Sequence, residues 1–260
     1  MPATSPQVEQ RLRRIQNALG VTADGMLGPE TLTALEKHLE LDATRKTVSL
    51  TCSRKALELI LQFEIGSRAQ YERLYAQPIW PGGESGVTIG IGYDLGFTPK
   101  QQIEADWDPF FEKPERAALA AVQGAKGAAA EQLARGLKHI KIPLAAAEPV
   151  FYTSTLPRFA RITRDAFPGI EELPPDAQGA LLSLVFNRGA SFAGDRRKEM
   201  KVIRDDVAGG RATLASIADQ FEAMQRLWPD ARGLRERRVR EAEFVRGAKR
   251  RYVDGEQVDL

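Results

Sequence analysis

Three side chains between residues 64 and 94 could carry general acid–base chemistry. Glu64 ends an apolar helical segment, while the Thr88 hydroxyl and the Asp94 carboxylate flank the run Thr-Ile-Gly-Ile-Gly. The dipole at the C-terminal end of a helix and apolar neighbours disfavour a negative charge on Glu64. A carboxyl group that keeps its proton is what a general acid requires. Taken alone, Glu64 also fits a solvated carboxylate at a helix end, the usual place of acidic residues.

A helix and a short strand must position these groups. Apolar residues from Ala56 to Phe63 recur with helical spacing, and Ser53 can cap the start of that helix. Glycine at every second position of residues 88–92 predicts a short, close-packed strand. Its β-branched residues would point to one side, while glycine lets a second backbone or a ligand approach the other. Such a strand can line an extended substrate groove.

Two later motifs complete a pattern. Ala-Leu-Leu-Ser-Leu-Val-Phe-Asn-Arg-Gly occupies residues 180–189, and Gly-Leu-Arg-Glu-Arg-Arg occupies residues 233–238, followed by Glu241. The order of Glu64, the glycine run and these motifs resembles the phage-type lysozymes over roughly residues 53–250. The pesticin-like branch fits best, because an Asp follows the glycine run. In better-known phage lysozymes the second carboxylate precedes the strand.

The resemblance implies hydrolysis of the β-1,4 bond between N-acetylmuramic acid and N-acetylglucosamine, with inversion. Glu64 would be the acid, Asp94 the second carboxylate, and Thr88 would help to hold the water. Glu84, in Gly-Gly-Glu-Ser-Gly, lies before the strand and is the alternative second carboxylate. We expect Asp94, because a carboxylate next to a packed strand is held more rigidly than one on a loop between glycines.

The resemblance also implies a substrate-binding set, namely Asn187, Tyr93 and Arg237. Asn187 would face the saccharide cleft, although a plain helix-terminal role fits it equally well. Arg237 is the candidate cation that orients Glu64. The register of that motif is uncertain by one residue, so Arg238 stays open as the alternative.

Residues 1–41 predict a small helical unit of their own. The pattern Asp24-Gly25-x-x-Gly28-x-x-Thr31, between a helix that contains Gln16 and a second helix that opens near Pro29, resembles the small peptidoglycan-binding domain of many cell-wall enzymes. A helical hairpin without a ligand is the alternative. Residues 42–52 are polar without clear periodicity and predict a linker.

The remaining segments predict an α+β, mostly helical protein. Residues 177–189 are hydrophobic nearly all round, which indicates a central helix. Residues 53–260 are expected to form a lysozyme-like catalytic domain with a small β-hairpin or sheet lining the cleft. The helical peptidoglycan-binding domain would precede it.

Composition excludes several function classes. Of 260 residues, 43% are hydrophobic and 28% are charged, as in ordinary globular proteins. No apolar run approaches the ~20 residues of a membrane span. Cys52 is the single cysteine, which excludes an internal disulfide, and the two histidines, His38 and His139, are far apart. We therefore expect neither a catalytic metal nor a cofactor.

The positive charge is concentrated near the C-terminus. Residues 232–251 contain nine arginines and lysines and three glutamates. This helix is a candidate for contact with an anionic envelope, and a solvated helix face is the alternative. Nucleic-acid binding ranks last because no base-reading motif accompanies the charge. The expected partner is peptidoglycan, and the expected state is a monomer.

The setting follows from the N-terminal sequence, which lacks a basic segment followed by an apolar one. We expect synthesis in the bacterial cytoplasm without a signal peptide, and action on the cell wall after release or delivery. A modular phage endolysin is the favoured interpretation, with a bacteriocin or secreted effector toxin as the alternative. Other open alternatives are a lytic transglycosylase acting on the same bond and a catalytically silent wall-binding module.

Overall fold

The chain divides into two compact units, residues 1–48 and residues 49–260. The structure, a computed structural model, describes residues 6–25, 31, 34–35, 38, 49–249, 251–253 and 255–260. No helix among these residues is long and apolar enough to cross a membrane. Gly28 of the N-terminal motif, the expected helix start near Pro29 and linker residues 42–48 lie outside the described part of the chain.

The N-terminal unit contains helix α1, Pro6–Leu19. Gly20 follows it with a φ of 71°, in the left-handed conformation that commonly ends helices, and its N–H donates to the Asn17 carbonyl over 3.2 Å. Residues 31, 34, 35 and 38 are helical as well. The predicted helix before Gly20 is therefore present, and residues 20–25 form the turn that follows it.

The C-terminal unit is mostly helical with two small antiparallel sheets, which confirms the predicted α+β, mostly helical class. Its described helices are α2 (Arg54–Ile65), α3 (Arg68–Leu74), α4 (Lys100–Trp107), α5 (Lys113–Ala121), α6 (Gly127–Gly136), α7 (Leu144–Val150), α8 (Leu156–Ala166), α9 (Pro175–Arg188), α10 (Lys198–Ala208), α11 (Leu214–Ala223) and α12 (Arg232–Arg246). The strands are β1 (Thr51–Ser53), β2 (Thr88–Ile89), β3 (Tyr93–Asp94) and β4 (Gln257–Asp259). A π-helical turn, Phe151–Thr155, joins α7 to α8.

Helix α9 is the centre of this unit, as its apolar sequence predicts. Residues 176–185 are all buried, and α9 contacts β1, α2, α8 and α12. Gly179 allows the closest approach, because a Cβ there would lie only 2.4 Å from the Ala56 Cβ on α2. Helices α2 and α9 are thereby fixed against each other, which matters because α2 carries Glu64.

Strand β1 corrects the predicted linker. Residues 42–52 were expected to be a linker, yet Thr51–Ser53 pair with Gln257–Asp259, in the register Thr51 with Asp259. The side chain of Gln178 on α9 accepts a hydrogen bond from the Thr51 N–H over 2.9 Å. The C-terminal unit therefore begins at Ser49, and its two ends are joined in one sheet.

The glycine run forms a hairpin rather than the single strand expected over residues 88–92. Strand β2 ends at Ile89, and β3 begins at Tyr93, with Thr88 opposite Asp94. The turn between them contains Gly90 and Gly92, whose φ values of 57° and 67° lie in the left-handed region. Residues other than glycine rarely adopt that region, so the alternating glycines specify a chain reversal.

Helix α12 is not simply a solvated basic helix. Arg237, Arg238 and Glu241 are buried on it beside Ala242 and Val245. Buried charges require partners, and these three residues provide them for one another.

Candidate active site

Glu64 lies in the last turn of α2, where local sequence fixes both ends of the helix. The Ser53 hydroxyl oxygen accepts a hydrogen bond from the Ala56 N–H over 3.2 Å, so the predicted N-terminal cap is confirmed. Gly66 ends the helix with a φ of 66°. The Glu64 side chain remains 25% exposed. It is therefore anchored at its base while its carboxyl group stays accessible.

Arg237 holds Glu64 in place. Its Nη1 lies 2.7 Å from Glu64 Oε1, and the arginine side chain is only 4% exposed. Its Nη2 donates to the hydroxyl and the carbonyl oxygens of Ser183, over 2.9 and 3.1 Å. The guanidinium also lies 5.3 Å from the centre of the Phe63 ring. Because these contacts leave Arg237 little freedom, the ion pair fixes the direction of the Glu64 carboxyl group.

The ion pair belongs to a buried network that settles the choice between the two arginines. Glu241 Oε1 lies 3.3 Å from Arg237 Nε and 2.8 Å from Arg238 Nη2, and it accepts the Ser183 hydroxyl over 2.5 Å. Arg237, and not Arg238, contacts Glu64. Burial lowers the pKa of Arg238 to about 10, against the opposing effect of Glu241. Sequence reasoning missed Ser183, although Ser183 and Asn187 lie four residues apart and so share a helix face.

Thr88 and Asp94 form the second cluster. They are directly opposite on the hairpin, so their Cβ atoms are about 4.5–5.5 Å apart on one face. Asp94 Oδ2 accepts from the Gly86 N–H over 3.0 Å, and Oδ1 accepts from the Gly96 N–H over 2.8 Å. A carboxylate has about four acceptor sites, so about two remain for another donor. These contacts hold Asp94 rigidly, and its carboxylate can still accept a proton or a hydrogen bond from a water.

Helix α9 connects the two clusters. The Phe186 ring lies against Gly92 in the hairpin turn, where a Cβ would come within 2.9 Å of it. Ser183, three residues earlier, contacts Arg237 and so supports Glu64. Residues three apart lie on one helix face, about 4.5 Å apart along the axis. One turn of α9 therefore anchors both the hairpin with Thr88 and Asp94 and the ion pair with Glu64.

The three expected substrate-binding residues differ in placement. Tyr93 is only 2% exposed, and its hydroxyl donates to Asp106 over 2.7 Å, so it supports β3 and does not fit a direct sugar contact. Burial also raises the pKa of its hydroxyl. Arg237 is buried and bound to Glu64, which fits positioning rather than direct substrate binding. Asn187 fits a ligand contact better, because it lines an open cleft.

That cleft has a volume of about 410 Å³ and lies at the C-terminal end of α9. We call it the arginine cleft, since its lining includes Asn187, Arg188, Arg196, Arg197 and Trp228. Sequence reasoning assigned no role to the three arginines. The signal that could have identified them is a set of basic residues at both ends of the loop that follows α9, with Arg188 before it and Arg196 and Arg197 after it.

Glu84, the alternative second carboxylate, lies in an exposed turn. The Ser85 N–H donates to the Gly82 carbonyl across this turn over 3.2 Å. Glu84 itself makes no hydrogen bond or ion pair with the described residues. Asp94 thus has the backbone support that Glu84 lacks.

The N-terminal motif is organised around Gln16, which is completely buried. Its Nε2 donates to Asp24 Oδ1 over 2.7 Å and to Thr31 Oγ1 over 2.9 Å, while its Oε1 accepts from the Gly25 N–H over 2.8 Å. Three of the four motif residues therefore support the fold of this unit. The fourth, Gly28, lies outside the described residues.

No group of three or more His, Cys, Asp or Glu side chains with metal-binding geometry occurs in the described ranges. No family model matches the sequence. A search of curated proteins gives no match either. The chemical arrangement of the side chains is therefore the basis for assigning a function.

Proposed function

We propose that residues 49–260 form a lysozyme-like domain that hydrolyses the β-1,4 bond between N-acetylmuramic acid and N-acetylglucosamine in peptidoglycan. The observation that carries this proposal is the joint anchoring of two carboxyl clusters on one turn of α9. On that turn, Ser183 contacts Arg237, which holds Glu64. Phe186 contacts the hairpin that carries Thr88 and Asp94. Glycoside hydrolysis requires such a pair of carboxyl groups.

The two clusters suit different roles. The Glu64 carboxyl group stays accessible at the end of α2, and it donates the proton to the leaving oxygen. Glu241 Oε1 lies 3.3 Å from Arg237 Nε and 2.8 Å from Arg238 Nη2, so its single negative charge is shared between two arginines. Arg237 orients Glu64 through the contact of 2.7 Å between its Nη1 and Glu64 Oε1.

Asp94 and Thr88 bind the attacking water. The backbone N–H groups of Gly86 and Gly96 hold the Asp94 carboxyl group in one orientation, which a group that activates a water requires. The Thr88 hydroxyl lies 3.5 Å from its nearest acceptor, the Gly86 carbonyl, at the outer limit of a hydrogen bond. It is thus available to a water between the two strands. Direct attack by this water gives an inverted product.

The second cluster favours hydrolysis over the lytic transglycosylase alternative, which uses one acid and no water. Analysis of the released muropeptides tests this directly. A reducing muramic acid end supports hydrolysis. An anhydromuramic end would assign the protein to the alternative, and no cleavage at all would refute both.

We further propose that the N-terminal unit binds peptidoglycan and that the whole chain acts as a modular phage endolysin. The support is the Asp-Gly-x-x-Gly-x-x-Thr pattern together with its compact folding around Gln16. A bacteriocin or secreted effector with the same chemistry is the alternative setting. A holin gene next to the coding sequence supports the endolysin, whereas an immunity gene would contradict it.

A further inference from the structure

The arginine cleft carries a positive charge that the catalytic proposal does not use. Arg188, Arg196 and Arg197 form no ion pair with the described residues. Two acids of the same segment are already bound elsewhere, since Arg226 lies 3.0 Å from Asp195 and 2.6 Å from Glu199. The arginine cleft therefore has a net positive charge, which favours the binding of an anion.

Two of the three guanidinium groups, those of Arg188 and Arg197, are held in place by hydrogen bonds. Arg188 Nη2 donates to the Arg196 carbonyl over 2.5 Å, and Arg197 donates to the Arg188 carbonyl. The Arg188 guanidinium lies 5.1 Å from the centre of the Trp228 ring. The side chain of Arg196 is exposed and makes no hydrogen bond with the described residues. Binding an anion therefore requires little ordering of Arg188 and Arg197, while the Arg196 side chain must be ordered.

The electrostatics of Arg188 point the same way. Burial and the neighbouring cations Arg197 and Arg238 lower its pKa to about 10, with Glu199 opposing them. Burial and these cations therefore make the charged form of Arg188 less stable. An anion in the cleft would relieve that cost.

Arg238 adds an independent observation. It is completely buried, and its Nε and Nη1 have no hydrogen-bond partner among the described residues. Its Nη2 lies 3.4 Å from Asn187 Oδ1, and its guanidinium lies 5.8 Å from the Trp228 ring centre. Both contacts line the arginine cleft. The Arg238 guanidinium, with these two unpaired nitrogens, therefore lies directly behind Asn187 and Trp228, which line the cleft.

We propose that the arginine cleft binds a carboxylate of the stem peptide that the muramic acid residue carries. This inference rests on the proposed function. The cleft begins at Asn187, one helical turn after Ser183, which supports the Glu64–Arg237 pair. A peptide attached to a sugar near Glu64 can therefore reach it. The planar fork of arginine matches a carboxylate, and Trp228 offers an apolar face to the small side chains of the peptide.

The test measures binding without turnover, using the full chain with Glu64→Gln. The probes are the disaccharide of N-acetylglucosamine and N-acetylmuramic acid, the same disaccharide with a tripeptide, that compound with its carboxylates amidated, and the free tripeptide. Binding is followed by calorimetry and by the intrinsic fluorescence of the three tryptophans, one of which is Trp228. We expect amidation to weaken binding by about 10-fold, the effect of one hydrogen-bonded charged pair.

Three further variants compare two arginines inside the cleft with one outside it. Arg196→Gln should weaken binding of the free-carboxylate probe at least about fivefold and should remove most of the effect of amidation. Arg164→Gln, at an exposed arginine paired with Asp165, is the matched control and should leave affinity unchanged. The affinity of Arg188→Gln for the same probes tests the cleft at a second arginine. Equal affinities for Arg196→Gln and Arg164→Gln would overturn the proposal.

The probes separate this proposal from the muramidase proposal. Binding of the disaccharide with no effect of amidation would leave the muramidase standing and refute the peptide site. Binding of the free tripeptide in an Arg196-dependent manner, without any disaccharide binding, would support the cleft and remove the sugar substrate. Equal competition by inorganic phosphate at the concentration of the peptide would show a general anion site and overturn the assignment to a stem peptide.

Discussion

Replacing Glu241 by Gln should lower the free energy of unfolding of the C-terminal unit by about 3–5 kcal/mol. Glu241 Oε1 accepts from Arg237, Arg238 and Ser183, and all of these groups are buried. A neutral amide would leave the buried guanidinium groups of Arg237 and Arg238 without the Glu241 carboxylate that they share. For a unit of this size about 1 kcal/mol shifts the melting temperature by about 2–4 °C, so we expect a fall of about 6–20 °C.

Thermal and urea unfolding measure this effect, with Glu243→Gln as the control. Glu243 is exposed on the same helix, so its substitution should change stability by less than about 0.5 kcal/mol. The double variant Glu241→Gln/Arg238→Met should be more stable than Glu241→Gln alone, because it removes an unpaired buried charge. A loss below about 1 kcal/mol for Glu241→Gln, or additive losses in the double variant, would refute the charge balance described here.

Three further predictions concern the hairpin, the cysteine and the N-terminal unit. Gly92→Ala should lower the free energy of unfolding by about 1–3 kcal/mol and reduce wall clearing, because the new methyl group meets Phe186 at a position with a positive φ. The control Gly136→Ala, at a helical position with open space around it, should be neutral or slightly stabilising. Equal unfolding midpoints for the two variants would contradict this prediction. Burial, with a smaller effect of a nearby carboxylate, raises the pKa of Cys52. The contribution of Cys52 to stability is therefore complete below the unfolded thiol pKa of about 8.5 and is lost above it. Above that pH, the difference in the free energy of unfolding between wild type and Cys52→Ala should shrink by about 1.4 kcal/mol per pH unit. A difference that does not change with pH would be inconsistent with a buried thiol. Deleting residues 1–48 should leave a soluble, active fragment that pellets less with insoluble wall, whereas an insoluble fragment or undiminished wall binding would argue against separate domains.

Local signals in the sequence predicted several elements well. The Ser53 cap, the all-round apolar helix after Pro175 and the glycine that follows Leu19 each act within a few residues, so the sequence nearby contains the whole cause. The pairing of Thr88 with Asp94 also follows from short range, yet the glycines were interpreted as strand positions. Alternating glycines do not reveal the sign of φ, and a positive φ at Gly90 and Gly92 turns the strand back.

Long-range contacts were beyond prediction from one sequence. Strand β1 pairs with a strand about 200 residues later, and its polar sequence resembles a linker until that partner is present. The choice between Arg237 and Arg238 required the position of Glu64 from a separate helix. Tyr93 looks like a groove residue in sequence, but Trp107 packs against it, with ring centroids 5.5 Å apart, and encloses it in the core. The candidate catalytic residues could thus be named from the sequence, whereas the contacts that hold them in place could not.

The most direct test of the proposed mechanism compares initial rates of peptidoglycan clearing for three variants of matched thermal stability. Glu64→Gln should retain less than about a tenth of the activity, and Asp94→Asn should lose at least about 100-fold, because each removes a proton-transferring group. Glu84→Gln, at the exposed turn, should lose less than about 10-fold. A severe loss in Glu84→Gln with a mild one in Asp94→Asn would transfer the second role to Glu84, and full activity in Glu64→Gln would contradict the account as a whole.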